Sequence, residues 1–425
     1  MEKAQIIVAS CSRRSLELEQ VKRFLEGNGY AVLSEDWRVA PDADLILLST
    51  CGFTEAAEDF GFQTLKRVQQ QKNPKARLVL GGCIPEINPK RVAETFDGPT
   101  FSPKTYSKLN QILNAKHNFE TFQRPNTLSR EVTSTVRFRD LQSTWNILKT
   151  FDGSLSGLQY IYRRLSNGVR RKLIRDRDAN LFGRDTFYIQ IQEGCSMQCS
   201  YCVICKAIGA LRSKPVDTVI AEFQAGLAQG YQHFQFIGDN AGSYGLDRNT
   251  NMGHLLERIL ALKEDFTLDL TDINPVYLSL IIEPVKTLCA QNKLTRLYIP
   301  IQSANRRILS LMRRDCDMDA VKQMLLGIRQ QATSTLKLGT SIIVGFPSET
   351  EQELEQTIEF CQDVGFDWVW CHSFSARPET PAAALPDQFP ADEIQRRAQM
   401  VKTRLKGKSI TITAMDKTGN RTCQG

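Results

Sequence analysis

The sequence predicts an α/β protein with two parallel-sheet units, an N-terminal doubly wound sheet and a partial (β/α)6 barrel. Apolar runs that read as buried strands alternate with stretches of helical periodicity over residues 1–105 and again over residues 183–405. Continuous apolar strands between helices are typical of parallel sheets that helices cover on both faces. The chain has 425 residues, which exceeds one ordinary hydrophobic core, so two or three domains are expected.

The first unit contains three strand and helix pairs. Its strands are "QIIVAS", "ADLILLSTC" and "ARLVLGGC", and a stretch with apolar residues at helical spacing follows each of them. We therefore expect an N-terminal domain over residues 1–105.

The second unit contains six strand and helix pairs over residues 183–405. Its strands are "TFYIQIQ", "HFQFIGD", "DLTDIN", "RLYIPIQS", "KLGTSIIVGF" and "WVWCHSFSA". Six such pairs predict a parallel barrel or partial barrel. Barrels of this type place their chemistry at the carboxyl ends of the strands, so residues that follow these runs are the site candidates.

Two segments lie outside these units. Residues 106–182 are polar and weakly periodic, and they contain the basic cluster "YRRLSNGVRRKLIRDR". This basic linker or insert is either a connection with a solvated helix or a docking surface for an acidic or nucleic-acid partner. Residues 406–425 read as a short polar tail with one candidate strand.

The composition is that of an ordinary globular protein, with 41% hydrophobic and 24% charged residues. No apolar run approaches the length that spans a bilayer, and "MEKAQIIVAS" reads as a first strand rather than a signal peptide. Twelve cysteines without an export signal indicate a reducing, cytoplasmic location, where clustered thiols are more often metal ligands or catalysts than disulfides. The net charge of +7 permits an anionic partner such as RNA without requiring one.

Three cysteines follow the first strand of the second unit. Cys195, Cys199 and Cys202 have the spacing C-x3-C-x2-C in "EGCSMQCSYC". A structural zinc site would need four ligands, and no second pair follows at zinc-finger spacing. An iron–sulfur cluster held by three thiolates leaves one iron open for another ligand. The pattern predicts such a cluster, with a zinc site or a structural group of thiols as the alternative.

This motif resembles the signature of the radical S-adenosylmethionine (SAM) superfamily. The resemblance implies that the three cysteines hold a 4Fe–4S cluster whose open iron binds the amino and carboxylate groups of SAM. Electron transfer from an external donor, such as flavodoxin or ferredoxin, would then cleave SAM to methionine and a 5′-deoxyadenosyl radical. Tyr201 matches the aromatic residue that packs near the adenine in that superfamily.

Longer stretches are similar, in order, to the methylthiotransferases of the MiaB/RimO group. They include "GALRSKPVDTVIAEFQAGLAQG", "LYIPIQSANRRILSLMRR" and "SIIVGFPSETEQELEQTIEFCQDVGFDWVWCHSFSARPETPAA". The resemblance covers residues 1–105 and 183–405. It implies an enzyme that inserts a methylthio group into an unactivated C–H bond, with residues 183–405 as the radical SAM partial barrel.

Cys11, Cys51 and Cys83 each end a predicted strand of the first unit. The carboxyl ends of parallel strands share one edge of a sheet, so these thiols could meet there, although each alone could be an inert buried cysteine. The resemblance implies that they hold an auxiliary 4Fe–4S cluster that carries the sulfur. One SAM would methylate that sulfur, and the radical formed from a second SAM would take a hydrogen atom from the substrate.

The resemblance also assigns a SAM-binding role to residues at the barrel strand ends. A plain turn, a helix cap or a solvated helix end is the alternative for these positions. The assigned residues are Gly238, Asp239, Asn240, Gln302, Ser303, Arg313 and Gly345.

Two further residues are singled out near the barrel mouth. Arg377 lies in "SARPETPAA", similar to an Arg-Pro-x-Thr-Pro loop of the relatives, where it either faces the substrate or belongs to a structural loop. Cys205 departs from the family pattern, which usually has proline at this position, and it is not expected to bind iron.

Two classes of substrate are compatible with the sequence. The relatives usually carry a C-terminal TRAM domain that touches RNA or protein, and the roughly 20 residues after the last barrel helix are too few for one. A protein or peptide side chain, bound without that domain, is the expected substrate. The alternative is an adenosine next to the tRNA anticodon, bound through the basic insert.

Two alternatives concern the chemistry itself. The chain could be a non-catalytic iron–sulfur binding or regulatory paralogue, against which the presence of all six cysteines argues. It could also insert sulfur without methylation. Iron and sulfide content, together with SAM cleavage, distinguishes an enzyme from a binding protein.

Overall fold

The computed structural model describes residues 1–33, 38–128, 186–332, 335–406, 409–415 and 421–424. The basic cluster "YRRLSNGVRRKLIRDR" lies outside the described residues. The two predicted sheets are present, and the α/β class is confirmed. Among the described residues, no helix combines the length and the apolar character that crossing a membrane requires.

The first sheet is parallel and has the strand order β2-β1-β3-β4. The order reverses at β1, and such a switch point is where open α/β sheets bind ligands, outside the carboxyl ends of the strands. The strands of this sheet are β1 (Lys3–Ala9), β2 (Ala31–Val32), β3 (Leu45–Thr50) and β4 (Arg77–Gly82).

Helices bury both faces of this sheet, as its continuous apolar strands predict. On β1, Ile6 packs with Phe24 of the first helix, whereas Ile7 points to the opposite face and packs with Leu65 of the second helix. Alternate residues of a strand point to opposite faces, so a strand buried on both must be apolar throughout. The helices are α1 (Ser15–Gly27), α2 (Glu55–Gln71), α3 (Ile84–Ile87), α4 (Pro89–Thr95) and α5 (Lys108–Ile112).

The packed N-terminal unit extends beyond residue 105. Residues 106–122 are predicted to lie in the polar insert, but Tyr106, Leu109 and Phe119 are buried in the core beside α1. The rings of Tyr106 and Phe119 stack with centroids 5.1 Å apart. These side chains bury too much apolar area to stay in solvent, so this part of the insert belongs to the first unit.

The second sheet contains the six predicted parallel strands in sequence order, extended at one edge by the tail. Ser409–Met415 (β13) pairs parallel with β12, and Arg421–Gln424 (β14) pairs antiparallel with β13, so the tail adds two strands where one was predicted. The six strands are β5 (Thr186–Gln190), β8 (His233–Ile237), β9 (Thr267–Leu270), β10 (Leu294–Tyr298), β11 (Lys337–Val344) and β12 (Trp368–Ser373).

Helices cover the outer face of this sheet. A short antiparallel ribbon encloses the cysteine loop, with β6 (Gln192–Glu193) before it and β7 (Arg212–Ser213) after it. Helix starts follow local rules: in Glu351–Val364, Thr350 and Glu353 form a capping box. The other helices are α6 (Cys205–Ile208), α7 (Val216–Ala228), α8 (Met252–Leu260), α9 (Ile282–Ala290), α10 (Arg306–Leu311), α11 (Met318–Gln331), α12 (Glu351–Val364) and α13 (Ala391–Arg404).

A buried ion pair joins the two units. Arg377, in the loop after β12, donates to the Glu58 carboxylate on α2, and the two side chains are only 3% and 2% exposed. Arg91 also contacts Glu58, at 3.0 Å. Burying a charge is costly unless it is paired, so this contact fixes how α2 docks on the barrel.

Removing Glu58 should loosen this junction. Glu58→Ala leaves the Arg377 guanidinium buried without its partner, and we expect a loss of about 3–5 kcal/mol in the free energy of unfolding. Urea unfolding followed by fluorescence measures it. The double variant Glu58→Leu with Arg377→Met should recover most of the loss. Asp217→Ala, which breaks an exposed pair with Arg258, is the matched control and should cost less than about 1 kcal/mol.

Candidate functional site

The structure brings Cys11, Cys51 and Cys83 together at the switch-point edge of the first sheet. Each follows a different strand, and the thiols of Cys11 and Cys51 are hydrogen bonded. That hydrogen bond lowers the pKa of Cys11 to about 6, whereas burial raises the pKa of Cys83 to about 12. Parallel strands that end at one edge thus converge three thiols that are distant in sequence.

The second triad lines an open cavity of about 800 Å³ at the carboxyl end of the barrel strands. Cys195, Cys199 and Cys202 all contribute to its wall. Gly194 precedes them with a φ of +74°, and a Cβ there would lie 2.0 Å from the carbonyl oxygen of Ala210. Only glycine therefore permits the turn that starts this loop.

Nitrogen donors surround the sulfurs of the second triad. Asn240 Nδ2 lies 3.6 Å from Cys195 Sγ, and Arg314 Nη1 lies 3.7 Å from Cys199 Sγ. The backbone N–H of Met197 donates to Cys195 Sγ at 3.4 Å. Donors of this kind stabilise thiolates, the form in which cysteine binds metal.

The three thiols of each triad suit an iron–sulfur cluster, whose irons take soft thiolate ligands. Among the described residues, no three His, Cys, Asp or Glu side chains gather closely enough to hold one metal ion. Three soft thiolates that bind separate irons of one cluster need not converge on a point. The Nε–H of Arg14, beside the first triad, is buried and has no acceptor among these residues. A cluster sulfur would satisfy it.

The two triads lie on either side of the contact between the two units. This contact, called the seam below, includes Cys83 and Ile87 of the first unit and Val203 and Ala207 of the second. Cys83 packs in a small apolar cluster with Ile87, Val203 and Ala207, and Val203 directly follows Cys202. The seam therefore places the edge of the first sheet against the cysteine loop of the barrel.

The segment Gly238–Asn240 braces the cysteine loop. Asp239 accepts a hydrogen bond from the Gly194 backbone at 2.8 Å, and its other carboxylate oxygen accepts one from Arg14. A Cβ on Gly238 would lie 2.8 Å from the Gln192 amide nitrogen, so this position favours glycine. Two of the three predicted residues thus contact the cysteine loop, Asp239 at Gly194 and Asn240 at Cys195.

Gln302 and Ser303 are buried after β10. Gln302 has a φ of +67°, and its backbone pairs with Ser341 and Ile343 of β11. Its Oε1 is buried without a hydrogen-bond donor among the described residues. Ser303 does not cap α10, because Asn305 accepts the N–H of Ile308 instead. Ser303 bonds the backbone N–H of Asn305 at 3.2 Å.

Gly345 ends β11 in a turn that a buried glutamate holds. Its φ is +70°, and its N–H donates to Glu349 Oε2 at 2.9 Å. Arg397 of α13 donates to the same carboxylate at 3.2 Å, and both side chains are nearly fully buried. Burial raises the pKa of Glu349 to about 7, although the contacts with Gly345 and Arg397 oppose the rise.

Tyr201 and Arg313 flank the second triad in different ways. Tyr201 packs against an apolar cluster that includes Phe346 and Met312. Burial raises its pKa. Arg313 is exposed and lines the cavity wall. The buried neighbour Arg314, which contacts Cys199, was not predicted, and only its place in the "MRR" helix end could have suggested it.

Arg377 does not line the cavity of the second triad. Its guanidinium is committed to Glu58, and it borders a smaller cavity of about 350 Å³ between the units. This ion pair supports the structural-loop alternative for Arg377, and its substrate-facing role stays a prediction.

Cys205 lies at the edge of the cavity. Its thiol donates to the carbonyl oxygen of Cys202 at 3.3 Å, which is a structural contact within the loop. Cys289, Cys361 and Cys371 are buried in the barrel core, and Cys316 is partly buried against it.

Comparisons with known proteins match both units. A family model described as "Radical SAM superfamily" matches residues 189–361, and one described as "Uncharacterized protein family UPF0004" matches residues 3–101. The first segment contains the second cysteine triad and the second segment contains the first triad.

Two curated relatives illustrate the range of similar proteins. The ribosomal protein uS12 methylthiotransferase RimO of Roseiflexus castenholzii is 28% identical over 93% of this chain and 79% of its own length. The tRNA-2-methylthio-N(6)-dimethylallyladenosine synthase of Idiomarina loihiensis is 29% identical over 90% of this chain and 72% of its own. Their names indicate different substrates, a protein and a tRNA.

Solved structures share the fold. TsrM, a radical S-adenosylmethionine methyltransferase from Kitasatospora setae solved with cobalamin and a 4Fe–4S cluster, superposes with a TM-score of 0.57. The match covers 90% of this chain and 77% of that one at 12% identity. The likeness shows that the two proteins share a fold.

Titration of Glu349 should make stability depend on pH. Its pKa is about 7 in the folded protein against 4.5 for the free side chain, so the folded state holds the proton more tightly. The resulting stabilisation is complete below about pH 4.5 and is lost as the pH rises to about 7. Glu349→Gln should remove this contribution.

Urea unfolding at a series of pH values, under anaerobic conditions, measures the effect. The difference in unfolding free energy between the natural protein and Glu349→Gln should fall over that pH range. Glu359→Gln, on the exposed face of α12, is the control and should give a constant difference. A constant difference for Glu349→Gln as well would contradict the assignment.

Proposed function

We propose that this chain, which belongs to the radical SAM methylthiotransferase family, inserts a methylthio group into an unactivated C–H bond of a protein or peptide side chain. The chain is a sulfur-group transferase that uses SAM and two 4Fe–4S clusters. The observation that carries the proposal is the meeting of two cysteine triads, one from each unit, at a single seam.

The two triads are assigned to the two clusters. Cys195, Cys199 and Cys202 would hold the SAM-binding cluster, because they line the open cavity. Cys11, Cys51 and Cys83 would hold the auxiliary cluster at the sheet edge. When bound, these groups supply the methyl group, the sulfur and the radical that the reaction requires.

The chain's own residues would bind and orient SAM. Asn240 and Arg314 hold the thiolates, and Asp239 braces the loop that carries them. The buried Oε1 of Gln302 has no donor among the described residues, which suits a ribose hydroxyl. The remaining contacts with SAM would come from the backbone of Gly238 and Gly345, from Ser303, from the exposed Arg313 and from the ring of Tyr201.

The charge of the cavity wall supports a protein or peptide substrate. Its charged lining residues among those described are Lys206, Asp247, Arg313 and Glu379, two of each sign. Lys206 is already paired with Glu379 at 2.8 Å. Nucleic-acid sites carry an excess of positive charge because they contact phosphates. The positive and negative residues of this wall are equal in number, so it has no such excess. A neutral side chain in a peptide would suit it.

A tRNA adenosine is the alternative substrate. It is favoured by the basic cluster "YRRLSNGVRRKLIRDR" and by the similarity to a tRNA-modifying relative. Under this alternative, binding to tRNA should weaken steeply as salt rises. Weak binding with a flat salt dependence would count against it.

Cys51→Ala should separate SAM cleavage from methylthio transfer. The reduced enzyme should still cleave SAM, because the barrel triad is intact, but it should form no methylthiolated product. Cys199→Ala should lose both activities. Cys316→Ala, a partly exposed cysteine outside both triads, is the control and should retain both. Chromatography of 5′-deoxyadenosine measures SAM cleavage, and mass spectrometry of the product measures methylthio transfer. Methylthiolated product from Cys51→Ala would refute the role of the auxiliary cluster as sulfur donor.

Mass spectrometry should identify the acceptor. The reduced enzyme would be incubated anaerobically with methyl-labelled SAM and, in parallel, a cellular protein and peptide fraction or bulk tRNA. We expect a labelled methylthio group in the peptide fraction only, with the Cys51→Ala enzyme as the blank. A labelled nucleoside would select the tRNA alternative, and sulfur without the labelled methyl group would indicate a different insertion reaction.

A further inference from the structure

Arg14 occupies an unusual position for a charged residue. It lies three residues after Cys11, and its side chain is only 7% exposed at the seam between the two units. Its backbone N–H donates to the Cys11 carbonyl oxygen at 3.2 Å, which ties it to the loop of the first triad. A guanidinium buried to this extent needs compensating charges and acceptors.

Two carboxylates supply part of that compensation. Arg14 Nη1 lies 2.5 Å from Glu17 Oε1 on its own unit, and Nη2 lies 2.5 Å from Asp239 Oδ1 on the barrel. Asp239 Oδ2 accepts the N–H of Gly194, the residue before Cys195. A continuous chain of hydrogen bonds therefore runs from the Cys11 loop to the Cys195 loop through one arginine side chain.

One donor of this arginine is left over. Arg14 Nε is buried and has no acceptor among the described residues, although both terminal nitrogens are paired. The Arg14 backbone is bonded to that of Cys11, and Glu17 and Asp239 hold its guanidinium at the contact between the two units. The unpaired donor and the positive charge therefore lie beside the first triad.

We propose that Arg14 is a positioning residue for the auxiliary cluster, to which it supplies a hydrogen bond and a positive charge while Asp239 links it to the loop of the SAM-binding cluster. The inference rests on the proposed assignment of the two clusters. Neither cysteine triad reveals this role. Arg14 would tune the reduction potential of the sulfur-bearing cluster and hold the two clusters at a fixed distance and orientation.

The expected direction follows from electrostatics. The reduction potential of an iron–sulfur cluster depends on net charge, on hydrogen bonds to its sulfurs and on exposure. A buried positive charge favours the reduced, more negative cluster, because screening is weak away from solvent. Arg14→Met keeps the apolar volume of the stem but removes the charge and the donors, so the auxiliary potential should become more negative.

The test is a redox titration of the full-length, anaerobically reconstituted enzyme, followed by electron paramagnetic resonance. The auxiliary signal is the one whose shape does not change when SAM is added, and iron and sulfide analysis verifies that both clusters are loaded. Arg14→Met should shift the auxiliary potential to more negative values. Arg14→Lys, which restores the charge without the planar fork, should fall between Arg14→Met and the natural enzyme.

A matched control and a variant of opposite sign sharpen the test. Arg212→Gln removes an exposed arginine that pairs with Glu193 and should leave the auxiliary potential unchanged. Asp239→Asn removes the negative charge that faces Arg14 and should shift the auxiliary potential to less negative values. If Arg14→Met fails to retain its iron, the auxiliary potential of Asp239→Asn tests the role of Arg14.

An auxiliary potential unchanged in fully loaded Arg14→Met, or unchanged in Asp239→Asn when Arg14→Met does not load, would overturn the role of Arg14. A natural enzyme with fewer than two clusters would instead overturn the assignment on which the inference rests. The two failures are therefore distinguishable in the same set of samples.

Discussion

The paired charges buried between the two units are the constraint on which the site depends. Arg377 meets Glu58, and Arg14 meets Asp239, in each case across the seam and with little exposure to solvent. An unpaired charge in such a place is costly, so the two units have a restricted set of ways to dock. The restriction matters because a reaction between groups on two units requires them to be held at a fixed separation and orientation.

The sheet topology explains why the site lies at this seam. The order of strands reverses at β1, and the loops that follow β1, β3 and β4 carry one cysteine each. The barrel presents its own cysteine loop at the carboxyl end of its strands, where such folds place their chemistry. Two units that each use this general feature of parallel sheets thus meet edge to edge, and Cys83 packs against Val203 at the junction.

The seam also accounts for the residues that sequence reasoning assigned differently. Arg377 carried a family motif, and the structure pairs it with the buried carboxylate of Glu58 on the other unit. Arg14 and Arg314 had no motif to mark them, because their importance lies in what they contact across the fold. Residues 106–122 looked polar along the chain, yet Tyr106, Leu109, Leu113 and Phe119 are buried in the core beside α1.

The sequence by itself determined the class of the fold, the six barrel strands and the two sets of cysteines. Apolar runs, glycine turns and thiol spacing are local properties, and they persist in any packing of the chain. Only the tertiary structure decided which charges pair across the seam, where the N-terminal unit ends, and that Gln302 and Arg14 keep buried polar atoms without partners among the described residues. Those features depend on distances between residues far apart in the chain, which no local pattern encodes.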